Sequence, residues 1–209
     1  MLKGAPICGV VIKQTFLHLT VMPRIVISLL SLLCVFHASS AFDDLVPIGS
    51  GFFYMGQEDI QDDESPIHSP NLEEFEIDRF EITIGEWNLI ADWAILNGYD
   101  FSEDSNFPWG RPYWYTLHQH DRFPMNKANW YDAVKWCNAR SEYMGRLPCY
   151  FLDANKTIVY RSGEIDLNAS NVSWNGSGYR LPTEEQWEKA ARGGLYGKNY
   201  PWGNQINGS

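Results

Sequence analysis

One stretch, Gly178–Gly194, constrains this chain more than any other: Gly-Tyr-Arg-Leu-Pro-Thr-Glu-Glu-Gln-Trp-Glu-Lys-Ala-Ala-Arg-Gly-Gly. Its local chemistry spells a short helix with both ends marked. Pro182 suits a helix entrance and is excluded from a helix interior. Thr183 is a good N-cap, and Gln186 three residues later completes a capping box. Glu184 and Glu185 place negative charge on the positive end of the helix dipole, with Arg192 at the other end. Trp187, Ala190 and Ala191 share one face, which predicts an apolar stripe. Gly193 and Gly194 can adopt the left-handed conformation that ends the helix.

The same residues carry a family resemblance. Arg180, Leu181, Pro182, Thr183, Glu184, Trp187, Glu188, Ala190, Ala191, Arg192, Gly193 and Gly194, followed by Tyr200-Pro201-Trp202-Gly203, resemble the signature of the sulfatase-modifying factor, or formylglycine-generating enzyme, family. The usual wording there is Arg-Leu-Pro-Thr-Glu-Ala-Glu-Trp-Glu-Tyr-Ala-Ala-Arg-Gly-Gly; the chain departs from it at Glu185, Gln186 and Lys189, positions expected to face solvent. The resemblance implies a C-type-lectin-like fold: α+β, irregular and loop-rich, with short antiparallel strands and about three helices. It identifies a fold more firmly than an activity, because one fold serves several chemistries.

Further segments extend the match. Leu45–Gly56 reads as two short strands around a Gly turn. It resembles the family's opening Ile-Pro-Gly-Gly-x-Phe-x-Met-Gly. Gln57–Ser69 is an acidic loop, in which Pro66-Ile67-His68 resembles the family's Pro-x-His. Phe75–Thr83 alternates apolar and polar residues, as a half-buried strand does. Thr83 and Glu86 form a second capping box, and Trp87, Ile90, Ala91, Ala94 and Ile95 form the apolar face of the helix behind it, closed by Asn97-Gly98. Asn129 caps a third helix, with Trp130, Ala133, Val134, Cys137 and Met144 at helical spacing and Gly145 at its end. Pro148–Arg161 reads as a hairpin with Asp153-Ala154-Asn155 near the turn. The expected helices are thus Thr83–Asn97, Asn129–Gly145 and Thr183–Gly193.

Residues 1–41 read as a signal-peptide region rather than as part of the 42–209 domain. Met22-Pro23-Arg24 is a short basic n-region, Ile25–Phe36 an apolar h-region, and His37–Ala41 supplies small residues for cleavage after Ala41. Met22 is the expected start. The alternative is an uncleaved anchor reaching back to Ile7, interrupted by Lys13, His18 and Arg24. The apolar run is too short for a comfortable membrane span. The expected location is therefore an exported one: periplasmic, extracellular or secretory lumen.

Net charge is −10, and the first 41 residues hold Lys3, Lys13 and Arg24 with no acid, leaving 13 basic against 26 acidic residues beyond them. An acidic surface repels phosphate backbones and argues against a nucleic-acid partner. Nine Trp and eleven Tyr suit a loop-rich core that needs large buried rings with polar tips. Asn155, Asn168, Asn171, Asn175 and Asn207 stand in glycosylation sequons, which matter only in a eukaryotic secretory host.

Cys137 and Cys149 remain once Cys8 and Cys34 fall in the leader. In an exported protein an even pair reads as a disulfide. A loop of this size stabilises by about 3 kcal/mol in the chain-entropy model. Against this, Cys137 matches a family position that can bond to a Cys near the domain's C-terminus. Neither Cys137 nor Cys149 is expected to be catalytic, so no catalytic residue is assigned. No metal ligands are assigned either. His68 stands alone in its loop, and His118-x-His120 lacks a Cys or third His at ligand spacing. The resemblance implies copper, bound by a C-terminal Cys pair, and calcium sites downstream of Tyr200–Gly203. Both lie beyond Ser209, so no cofactor is expected in this chain and the domain is expected to be cut short there. Two functions remain: the front part of an enzyme that oxidises a Cys of a sulfatase-like polypeptide to formylglycine, or a non-catalytic secreted binding or scaffold module on the same fold.

Overall fold

A computed structural model describes residues 12–13, 44–56, 66–102, 120–198 and 203–204. Five short strands precede three helices: β1 Ile12–Lys13, β2 Leu45–Ile48, β3 Gly51–Phe52, β4 Asn71–Leu72, β5 Phe75–Asp78, α1 Ile84–Leu96, α2 Trp130–Tyr143 and α3 Glu184–Arg192. β5 is the middle strand of an antiparallel sheet ordered β1-β5-β2, and β3 pairs with β4 in a second, two-stranded sheet. Val46 sits opposite Ile77 and Ile48 opposite Phe75. The two strands expected around the Gly turn both form, but each belongs to a different sheet. Gly51, at a φ of +121°, turns the chain from one to the other.

β5 alternates as its sequence predicts: Phe75 and Ile77 are buried, while Glu76 and Asp78 are half-buried. Ile12 and Lys13, from the segment read as a leader, pair through the backbone with Ile77 and Glu76.

α1 begins at the predicted capping box. Thr83 accepts from the Glu86 amide, and the Glu86 carboxylate accepts from the Thr83 amide at 2.8 Å. Trp87, Ile90, Ala91 and Ala94 are buried as predicted, but Ile95 is exposed. α2 follows its N-cap Asn129 and lies against α1, with Trp87 and Trp136 stacked at 5.4 Å and the Trp136 indole N–H on the Trp87 carbonyl.

Of the α2 residues noted at helical spacing, Ala133, Val134 and Cys137 are buried, but the helix buries far more than these. Every residue from Asp132 to Ser141 is buried, and Trp130 is exposed. The helix runs through the middle of the molecule, so its polar side chains must find partners inside it. The Arg140 guanidinium grips the Asp78 carboxylate at 2.7 and 2.9 Å and lies over the Tyr179 ring. Lys135 reaches Asp100 at 2.6 Å and Asp132 at 3.3 Å. The Asn138 side chain donates to the carbonyls of Tyr150 and Tyr160 and accepts from the amides of Cys149 and Tyr150.

That last set docks the expected hairpin, which forms through Leu152 N to Ile158 O and Tyr160 N to Tyr150 O. Asp153 organises its turn. Its carboxylate accepts from the Ile158 and Thr157 amides and the Thr157 hydroxyl, and the Ile158 amide bond above all holds its pKa low. Among the described residues no helix is long and apolar enough to cross a membrane.

Candidate functional site

The signature packs against the segment Gly51–Gly56 that follows β2. Tyr179 enters it from Gly178, a position that admits no side chain: a Cβ there would stand 2.0 Å from the Leu147 carbonyl oxygen. Arg180 follows, buried to 4% exposure. Its Nη1 donates to Leu181 O and to Gln186 Oε1, both at 2.9 Å, and its guanidinium lies 5.1 Å from the Trp174 ring. Burial pushes its pKa below the usual guanidinium value. The Leu181 amide donates to the Tyr150 hydroxyl. Pro182 leads into Thr183, which caps α3 as predicted: Thr183 accepts from the Gln186 amide, and Gln186 Oε1 accepts from the Thr183 amide at 3.1 Å.

The face of α3 differs from its prediction. Trp187 is 47% exposed, and Gln186, predicted on the solvent side, is 9% exposed. The reason is the buried Arg180 beneath the first turn. A guanidinium out of water needs acceptors, and Gln186 Oε1 supplies one while closing the capping box. Lys189 is likewise half-buried, with its ammonium on the Gly51 carbonyl at 2.9 Å. Ala190 does pack inward, against the cluster of Phe75 and Ile77. Ala191 is half-buried, Glu184 is exposed in the first turn, and Gly193 ends the helix at a φ of 55°.

Glu188 and Arg192 hold the N-terminal strands. The Gly56 amide donates to Glu188 Oε1 at 2.9 Å, and Arg192 Nη2 donates to the Gly56 carbonyl at 3.0 Å. The two side chains also pair with each other one helical turn apart, and Arg192 Nη1 reaches the Lys198 carbonyl. Carboxylate and guanidinium together thus read both polar groups of one peptide position. This arrangement is a clasp, with each charge committed to a partner.

Cys137 and Cys149 lie behind the signature, each 1% exposed and each a free thiol in the structure. Burial pushes the Cys137 thiol far above its ordinary range and the Cys149 thiol up to about 11. Both are protonated at neutral pH, so neither is poised as a nucleophile. His68 is exposed, and its Nδ1 meets the Pro66 carbonyl at 3.2 Å. His118 and the His120 side chain lie outside the described residues. Among the described residues no group of three or more His, Cys, Asp or Glu is placed to hold a metal ion.

Sequence reasoning missed Asp132, Lys135, Asn138 and Arg140. The available signal was charge on a helix otherwise rich in apolar residues, with Asp132 and Lys135 three apart. Their partners Asp78 and Asp100 lie 62 and 35 positions away.

The family model of the sulfatase-modifying factor enzyme 1-like domain matches residues 35–209. The chain is 28% identical over 178 residues to a formylglycine-generating enzyme of Mus musculus, covering 79% of this chain and 44% of that protein. It is 31% identical over 171 residues to an inactive C-alpha-formylglycine-generating enzyme 2 of Mus musculus, covering 78% and 51%. The crystal structure of CarF superposes with a TM-score of 0.60 at 28% identity, covering 78% of this chain and 63% of that one. The chain spans about half the length of the curated relatives it matches. The short antiparallel strands, three helices and long irregular connections are those of the C-type-lectin-like fold. With the signature folded as a capped helix, and a family model running over most of its length, the chain belongs to the sulfatase-modifying factor family.

Proposed function

We propose that this chain is the N-terminal portion of an exported sulfatase-modifying-factor-type protein whose activity is oxidation of a substrate Cys to formylglycine. The observation that carries this reading is the signature helix itself, capped by Thr183 and clasped to Gly56 by Glu188 and Arg192. The relative of that activity is matched across 79% of this chain. Export is supported by the basic n-region, the apolar run and the small residues before Ala41. A sulfatase-like polypeptide is the proposed substrate, and the acidic balance of the chain disfavours nucleic acid.

The part played by these residues is architectural. They hold the strands, α2 and the hairpin in the relative positions on which the remainder of a domain can be built. Copper and calcium do not fit the described residues: the two thiols are buried and protonated, and no further ligand cluster accompanies them. No chemical step is therefore derived through either ion.

A second reading, a non-catalytic secreted binding or scaffold module, is favoured by the 31% identity to a relative named inactive. One assay separates the two. The full-length gene product, supplied with copper and oxygen, is incubated with a Cys-containing peptide of sulfatase origin, and aldehyde formation is measured by mass spectrometry. Aldehyde product supports the oxidase. A folded, copper-treated protein that yields none supports the binding module.

A further inference from the structure

Cys137 and Cys149 share one compartment between α2 and the stretch that enters the hairpin. Asn138, next to Cys137, accepts from the Cys149 amide at 3.0 Å and donates to the Tyr150 carbonyl at 2.8 Å, so the two backbones are pinned side by side. Ser141, one turn after Cys137 on the same helix face, donates to the Cys137 carbonyl and accepts from the Tyr179 amide, both at 2.8 Å. A Cβ on Gly178 would meet Ser141 Oγ at 2.8 Å and Cys149 Sγ at 3.2 Å. The Cys149 sulfur therefore lies toward the Cys137–Ser141 face of α2. No other cysteine is found among the described residues.

We propose that Cys137 and Cys149 form a disulfide in the exported protein, cross-linking α2 to the segment that leads into the hairpin. The inference rests on the export reading above. The chemistry is thiol–disulfide exchange with a small-molecule or protein disulfide as oxidant. One cysteine, as its thiolate, attacks a sulfur of that disulfide and expels one thiol. The second cysteine then attacks the mixed disulfide and expels the other. The cysteine pair loses two protons and two electrons, and the oxidant is reduced to two thiols. Both sulfurs are buried in the folded protein, so the exchange belongs to folding, while the compartment is open to the oxidant. Closure needs the two Cβ atoms to settle about 3.5–4.5 Å apart.

The test uses the full chain, reduced, denatured and refolded in a buffer of reduced and oxidised glutathione. Free thiols are then alkylated in denaturant, and the protein is digested with trypsin without reduction. Arg140 and Arg146 lie between the two cysteines, so the digest separates them unless the bond is present. The expected result is a linked species joining the Cys137 and Cys149 peptides, which reduction resolves into its halves, with neither cysteine alkylated. Two alkylated peptides overturn the proposal. So does a linkage from either residue to Cys8, Cys34 or glutathione. In Cys149→Ser, Cys137 is expected to become fully alkylated; if that variant does not fold, the wild-type digest decides alone. The buffer supplies the oxidant, so the outcome does not depend on export. Export is judged separately from the N-terminal residue of the protein recovered outside the cytoplasm, Phe42 being the residue expected.

Discussion

The Glu188 carboxylate and the Gly56 amide are 132 positions apart in sequence and 2.9 Å apart in space. Arg192 completes the contact from the other side by donating to the Gly56 carbonyl. Glu188→Ala removes a charged acceptor from a half-buried amide and leaves Arg192 with its carbonyl contacts alone. The expected loss is about 2 kcal/mol, at the strong end for a hydrogen bond to a charged group. Urea unfolding checks it through a lower midpoint at unchanged slope. Glu188→Gln keeps an acceptor for Gly56 and loses only the ion pair, so it should lie between Ala and wild type. A midpoint for Ala equal to that of wild type would show that the clasp contributes nothing to stability.

Gly178→Ala should be the most damaging single-methyl change in the described chain. The added Cβ would stand 2.0 Å from the backbone oxygen of Leu147, which cannot swing aside as a side chain can. Overpacking of this kind costs about 3 kcal/mol, because the chain at Leu147, just before the hairpin, and the start of the signature must separate. Thermal unfolding of the purified variant is the check, and a wild-type melting temperature would contradict the close approach.

The caps were legible in the sequence and the interior was not, for one physical reason. Thr83 with Glu86, and Thr183 with Gln186, act over three residues, so local order suffices to place both helix starts. Gln186 was placed on the wrong side because its burial depends on Arg180, a cation that the chain could as well have left in water. Trp187 shares the predicted apolar stripe with Ala190 and Ala191, yet only Ala190 meets the sheet cluster. For α2, helical spacing names apolar residues alone, and the partners that bury its polar side chains arrive from Asp78, Asp100 and the hairpin. Periodicity reports which residues share a face and is silent on how many faces are covered.

Asn138 tests that polar interior. Its amide side chain makes four hydrogen bonds to backbone groups of Cys149, Tyr150 and Tyr160. Asn138→Ala strands two buried N–H donors and one or more carbonyls, at a cost of about 3 kcal/mol or more. Asn138→Asp keeps an acceptor for the two amides but turns a carboxylate oxygen toward two carbonyls. It should therefore be no more stable than the Ala variant at neutral pH. Denaturant midpoints of the two variants decide it, and a near-wild-type Asp variant would mean that the two donor bonds carry little weight.

The reduced protein should lose stability in alkali, and Cys149 identifies part of the loss. Burial raises its pKa from the ordinary 9.0 to about 11 in the folded state. A raised folded pKa means that the native state holds the thiol proton after the unfolded chain has released it. Below about pH 9 both states are protonated and the native thiol's advantage is fully present. Between about 9 and 11 the unfolded state binds fewer protons than the native one, so stability falls as pH rises. Cys137 and Tyr150, also raised by burial, act with the same sign. The measurement is the urea midpoint of the reduced protein at intervals from pH 7.5 to 11, for wild type and Cys149→Ala. The wild-type midpoint should decline through this window, and the Ala variant, whatever its absolute stability, should decline less steeply. Equal slopes would show that Cys149 titrates alike in both states, and a rise toward pH 11 would reverse the sign argued from its burial. The same series on oxidised protein should be shallower still than that of the variant, because a disulfide removes the Cys137 proton as well as that of Cys149.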